Sequence, residues 1–231
     1  MKINKKVLAG LLCLSLVAAV GCGQKKTVDS SSSQKQEQKK AADEIAGLSL
    51  DQPIKVDKEA KTVTVLTKVN GKYFNEATRH ASVFSEGSNG TKSVFTSYGT
   101  PEDFLQGLLD IGAEAGNNMT PENATETTVE GSPIKMEVTW AGADKTYDVN
   151  EVIKDSNGKK IDFKFGGNLE RAKNKKTGCL TCLDSCPVGI VSNAAYTYGA
   201  VEKRNEVTFT GNADVLPEDG TYVATIYSIS K

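Results

Sequence analysis

The sequence has one histidine, His80, in 231 residues, one tryptophan, and only 6% aromatic residues. A single histidine excludes the H-E-x-x-H zinc motif and any site built on two histidines. It also leaves Ser–His–Asp catalysis dependent on one residue. There is no G-x-S-x-G, no P-loop and no G-x-G-x-x-G, so the hydrolase elbow, the phosphate-cradling loop and the dinucleotide fingerprint are all missing. The acids between Glu102 and Glu130 show no paired spacing suited to acid–base work. With 28 basic against 29 acidic residues, the chain lacks the basic footprint of a nucleic-acid binder. It has no internal repeat. These absences leave catalysis the less favoured class, behind electron transfer or binding.

The N-terminus is more informative. Lys2, Lys5 and Lys6 precede an uncharged apolar run, Val7–Val20, which falls short of the ~20 residues a membrane span needs. Basic flank, short apolar core and small residues read as a secretory signal over residues 1–21. The stretch Ala19-Val20-Gly21-Cys22 resembles the lipobox of bacterial lipoprotein precursors, although Ala19 stands where leucine is commonest. That resemblance implies that Cys22 carries a lipid anchor and that the partner surface is a membrane. The implied location is the outer face of the cytoplasmic membrane, with the outer membrane as the alternative. Stable anchoring takes more than one acyl chain. Removing residues 1–21 takes away three lysines and no acids, which turns a formal charge of −1 into about −4.

Residues 22–47 are polar and low in complexity up to about Ala42. They read as a flexible tether, because they offer too little apolar surface to fold. Residues 48–231 suit one globular domain with a sizeable core. Val63, Val65, Thr67 and Val69 alternate with polar neighbours, as do Met136, Val138 and Trp140, then Ile161, Phe163 and Phe165, then Val207 and Phe209. Tyr222–Ile229 is a further β-rich run. Such alternation predicts half-buried strands. Asn70-Gly71, Asn89-Gly90, Asn157-Gly158 and Asp219-Gly220 supply hairpin-type turns. Thr100-Pro101-Glu102-Asp103 is a helix start, and Phe104, Leu105, Leu108, Leu109 and Ile111 form an apolar stripe behind it. The expectation is an α+β domain: a mainly antiparallel sheet, one clear amphipathic helix over about 101–113, and a Cys-rich loop. A second, shorter helix is expected across Gly189–Tyr196, and a long loop over Asn117–Glu130.

The stretch Thr177–Ile190, TGCLTCLDSCPVGI, places Cys179, Cys182 and Cys186 within eight residues, with Pro187 directly after. Once Cys13 leaves with the signal and Cys22 is acylated, these are the thiols that remain. Their C-x2-C-x3-C-P spacing matches the last three positions of the bacterial ferredoxin run, and Lys176 stands where the first cysteine would be. Three thiolates can hold a [3Fe–4S] cluster, or a [4Fe–4S] cluster with a non-cysteine or open fourth position. Asp184 and His80 are the candidates for that position, although a lone histidine opening a strand is more often structural or superficial. A disulfide among the three, with no metal, and a zinc site are the alternatives. Any of these requires the sulfurs to converge, and the spacing predicts that they do so near the surface. Gly178 and Gly189 would permit close backbone approach. Gly166-Gly167-Asn168 reads as an exit turn in which Asn168 caps a short helix.

Several stretches together, TRHASVF, TPEDFLQGLLDIGAEAGNN, FGGNLERAKNKKTGCLTCLDSCPVGIVSNAAYTYG and VLPEDGTYV, resemble the YdjY-type domain of bacterial extracytoplasmic proteins. Members of that family are described as ferredoxin-like. The resemblance implies a membrane-anchored lipoprotein that transfers electrons through an Fe–S centre on Cys179, Cys182 and Cys186, with another envelope redox protein as partner. The competing expectation is an interaction lipoprotein whose cysteines form a structural or redox-active disulfide.

Overall fold

Val63, Val65 and Val69 lie on β2 (Thr62–Val69), a strand that is buried along most of its length. The computed structural model describes residues 45–230 of the chain, and in it β2 is the seam of a barrel. Its partner β12 (Tyr222–Ile229) runs antiparallel from Tyr222↔Lys68 to Ser228↔Thr62. The ladder continues to β5 (Pro133–Thr139), β8 (Phe163–Phe165), β10 (Val191–Asn193), β9 (Cys179–Cys182), β3 (His80–Phe84) and β4 (Phe95–Ser97). β4 then returns to β2, with Thr67 opposite Ser97 and Val69 opposite Phe95, closing a ring of eight strands. β1 (Ile54–Asp57) covers the other half of the same β2 edge, and β6 (Tyr147–Asp148) pairs with β5. A separate two-stranded sheet joins β7 (Ile153–Asp155) to β11 (Phe209–Gly211).

Closure overturns the expected α+β domain with an open, ferredoxin-like sheet. Helices are minor: α1 (Pro101–Asp110) has ten residues, α2 (Val149–Val152) four and α3 (Leu169–Lys175) seven. Period-two alternation reports which residues sit in strands. It carries no information on whether the ends of the ladder meet. Nor is the ladder purely antiparallel, since β9–β10 and β3–β4 are parallel pairs.

The helix start read from the sequence is present. Thr100 Oγ1 accepts from Asp103 N–H at 3.1 Å, and the helix stops before Gly112, whose φ is +90°. α1 lies close on the strands because Gly107 has no side chain; a Cβ there would stand 3.1 Å from both Val56 Cγ2 and Val63 Cγ1. The helix expected across Gly189–Tyr196 is instead β10 and its flanking turns. Val191 and Asn193 pair with Phe165 and Phe163, so the inter-strand ladder prevails over local pattern. Asn70-Gly71 enters a 3₁₀ turn, Gly71–Phe74, rather than a hairpin. Ile45, expected in the tether, packs with Leu48, Leu66, Tyr222 and Ala224. The signal segment and Cys22 lie outside the described residues. Among the described residues, no helix is long and apolar enough to cross a membrane.

Candidate metal centre

β3 and β9 are neighbours, and their pairing is irregular. His80 faces Cys182, Ser82 faces Thr181 and Val83 faces Cys179, with a register shift at each step. One extra residue therefore sits on each strand, Ala81 on β3 and Leu180 on β9, and both feed the main core. In a regular strand residues 179 and 182 would point to opposite faces. Bulges re-aim side chains, and here both sulfurs turn to the same imidazole. His80 Nδ1 lies 3.7 Å from Cys179 Sγ and 3.8 Å from Cys182 Sγ. The three ligand atoms fall within 4.8 Å of one another, so His80, Cys179 and Cys182 could hold a metal ion.

Cys186 lies in the same buried cluster as Cys179 and Cys182, beside Val83. Its loop is clamped from α3 and the residue before it. Asn168 Nδ2 donates to the Cys186 carbonyl at 3.2 Å and the Gly189 carbonyl at 3.0 Å, and Arg171 Nε donates to the Pro187 carbonyl at 2.6 Å. Asn168 precedes α3, as expected, but at φ 54° and without a side-chain cap; its amide holds the cysteine loop instead. Gly178 and Gly189 both sit at close approaches. A Cβ on Gly178 would stand 2.8 Å from Gly87 Cα, and one on Gly189 would stand 3.0 Å from Cys182 Sγ.

The three cysteines are free and buried, at 0%, 0% and 1% exposure for Cys179, Cys182 and Cys186. The expected surface position and loop placement therefore give way to a strand for the first two and a buried turn for the third. All four residues of β9 are buried: Leu180 packs in the main core, and Cys179 and Cys182 pack in a separate cluster with Val83 and Cys186.

The thiols are electrostatically unequal. A hydrogen bond from Cys182 and the neighbouring His80 hold Cys179 well below the ordinary thiol range despite burial. Cys182, donating to Cys179 and Cys186 and fully buried, is pushed well above it. Cys186 is lowered by its bond from Cys182 and by the Arg79 charge.

Asp184, a candidate ligand by position, serves Arg79 instead. Its Oδ1 accepts from Arg79 Nε at 3.2 Å and Nη2 at 2.5 Å, and its Oδ2 accepts from Gly199 N–H at 2.9 Å. Burial works against the Arg79 charge, but Cys186, Asp184 and Cys182 outweigh it and hold the guanidinium above its ordinary pKa. A cavity of about 470 Å³ opens on Cys179, Cys186 and His80, with Arg79, Lys175 and Lys203 in its wall.

The model of the YdjY domain matches residues 54–228. The chain belongs to the YdjY family. It is 51% identical over 227 residues to a protein of Escherichia coli (strain K12) described as "Uncharacterized protein YdjY", covering 98% of this chain and 96% of that one. No solved structure matches. His80, Arg79 and the three cysteines all fall inside the matched YdjY domain. Of these, His80 was the residue that sequence reasoning placed least well. Its one signal is that it opens an alternating run, His80–Phe84, and no sequence pattern reveals which strand lies alongside it.

Proposed function

We propose that this YdjY domain holds a single transition-metal ion between His80, Cys179 and Cys182, in a lipoprotein anchored through Cys22 on the outer side of a membrane. The observation that carries the metal reading is the pair of Nδ1–Sγ separations, 3.7 and 3.8 Å. A tetrahedral ion with metal–sulfur bonds of ~2.3 Å and metal–nitrogen bonds of ~2.0–2.1 Å has N–S edges of roughly 3.6 Å. A cubane cluster puts each thiolate on its own iron, which spreads the ligand atoms further apart. Thiolate and imidazole donors suit zinc, copper(I) or iron.

A second reading, electron transfer through an Fe–S centre on Cys179, Cys182 and Cys186 to an envelope redox partner, is favoured by the gathering of all three cysteines in one buried cluster and by the ferredoxin-type spacing. Metal and acid-labile sulfide, measured on anaerobically purified protein, separate the two. The mononuclear reading expects about one metal per chain, no sulfide, loss in His80→Ala and retention in Cys186→Ser. Three or four irons with matching sulfide, lost when any one cysteine is replaced, would instead support the cluster. Metal-free protein would overturn both and leave an interaction lipoprotein. The anchor is checked separately: Cys22→Ala should accumulate unprocessed or leave the lipoprotein fraction.

A further inference from the structure

We infer that the cavity beside His80, Cys179 and Cys186 takes a small organic anion, a carboxylate carried on an apolar body, and presents it to the open side of the His80–Cys179–Cys182 cluster. The second half of this inference rests on the metal reading above.

The first argument is charge. Arg79, Lys175 and Lys203 line the cavity, and no carboxylate does among the described residues. This is a local bias in a chain whose formal charge is −1. Asp184, the acid paired with Arg79, turns one oxygen to Arg79 and the other to the Gly199 N–H, and it is not part of the cavity wall. Arg79 is fixed at the inner end by burial and by its place 4.4 Å from the Tyr198 ring centre. Lys203 lies over the same ring at 4.9 Å. The Arg and Lys side chains are the fixed charges of this concave wall, and such a surface draws counter-ions of the opposite sign.

The second argument is shape and polarity. Pro121, Ala124, Pro187 and Val188 supply an apolar wall, and the Tyr198 ring extends it. Hydrated inorganic anions gain nothing from such a surface. A carboxylate on a hydrocarbon or aromatic body satisfies both halves. The volume, about 470 Å³, falls within the ~300–1,000 Å³ usual for small-molecule sites.

The third argument is the cluster's open side. Three protein ligands leave a tetrahedral ion one free position, the pattern of catalytic rather than structural metal sites. Cys179 and His80 line the cavity, together with Cys186, whereas Cys182 does not. An occupant of the cavity therefore meets the cluster from the Cys179–His80 side.

The test uses the full chain in detergent, as purified and after chelation, with benzoate as probe, uncharged benzamide as its isostere and sulfate as the inorganic control, followed by calorimetry or ligand-observed NMR. Benzoate should bind at least tenfold more tightly than benzamide and sulfate. Lys175→Gln with Lys203→Gln should weaken it by roughly tenfold, the loss of two charge-assisted contacts at an exposed rim, while metal content stays unchanged. Equal binding of benzoate and benzamide, tighter binding of sulfate, an unaffected lysine double variant, or no binding would each overturn the inference. Benzoate binding that survives in a protein shown to carry no metal would keep the anion site and remove the centre. Metal without benzoate binding would remove the anion site alone.

Discussion

Arg79 Nη2 lies 2.5 Å from Asp184 Oδ1, in a pair whose side chains are 9% and 0% exposed. Arg79 immediately precedes His80, and Asp184 follows Cys182 by two residues. The pair, with the Leu183 N–H to Arg79 carbonyl bond at 2.8 Å, locks the His80 strand to the cysteine strand at the point where the ligands meet. Removing one partner strands the other as a buried charge, which costs about 3–5 kcal/mol. Asp184→Asn or Arg79→Met should therefore lower the unfolding free energy by that amount, read as a lower urea midpoint at unchanged slope. Replacing both residues with apolar ones should cost less than either single change.

Gly189→Ala tests how tightly the Cys182 sulfur is placed. The new Cβ would stand 2.7 Å from Ser192 Oγ and 3.0 Å from Cys182 Sγ, so the sulfur must shift. Overpacking of this kind costs about 1–3 kcal/mol, and metal content should fall with it. Gly112→Ala is the control. Its φ of +90° strains any side chain, but nothing stands within 4 Å of the added Cβ. It should lose about 1–2 kcal/mol and leave metal content unchanged.

Alkaline stability should report on Tyr227. This side chain is fully buried against Thr181 Oγ1 at 3.0 Å, and burial pushes its pKa up to about 12. Below pH ~10 both folded and unfolded chains keep the phenol proton. Between pH ~10 and ~12 the unfolded chain releases it and the folded chain does not, so stability falls as pH rises. Two pH units correspond to roughly 2–3 kcal/mol. Tyr227→Phe should be less stable at neutral pH through the lost hydrogen bond, and its decline between pH 10 and 12 should be shallower. An unchanged slope in chemical denaturation across that range would count against this account.

Thr100→Ala removes the cap of α1, which should cost about 1 kcal/mol. The helix packs chiefly on β1 and β2 and also meets α3 and the cysteine strand β9; losing the cap frays only its first turn, so metal content should not move. A parallel loss of metal would mean that the helix and the cluster are coupled.

The parts legible in the sequence are those determined by near neighbours. Thr100-Pro101 marks the start of α1 to the residue, and Tyr222–Ile229 is β12 end to end. Both are long enough for pattern and cap to speak. β4, β7 and β10 have three residues each, too few for alternation to separate a strand from a turn; β8 and β11 are as short, but the alternation of Phe163 with Phe165 and of Val207 with Phe209 marks them. Barrel closure depends on β4 meeting β2, a pairing without a local signature. At the site, cysteine spacing points to a cluster, but in a regular strand it would divide Cys179 from Cys182. What unites them is a pair of bulges against β3, and Ala81 and Leu180 look like ordinary core residues until their partners are known.

His80 and Cys179 touch across 99 residues of chain. At a synthesis rate of ~5–20 residues per second, the histidine leaves the ribosome roughly 5–20 s before the first of these cysteines. Long-range strand pairing is slow by its nature, so the imidazole and the thiols remain strangers until β3 and β9 join. The cysteine pair is local, but the cluster is incomplete until the imidazole reaches it. On the proposed metal and lipoprotein readings, the full ligand set forms only on barrel closure, and the interval before closure is when the three thiols are open to oxidation. Maturation of the site is thus a race between β3–β9 pairing and sulfur chemistry, and any substitution that slows closure lengthens that interval without touching a ligand.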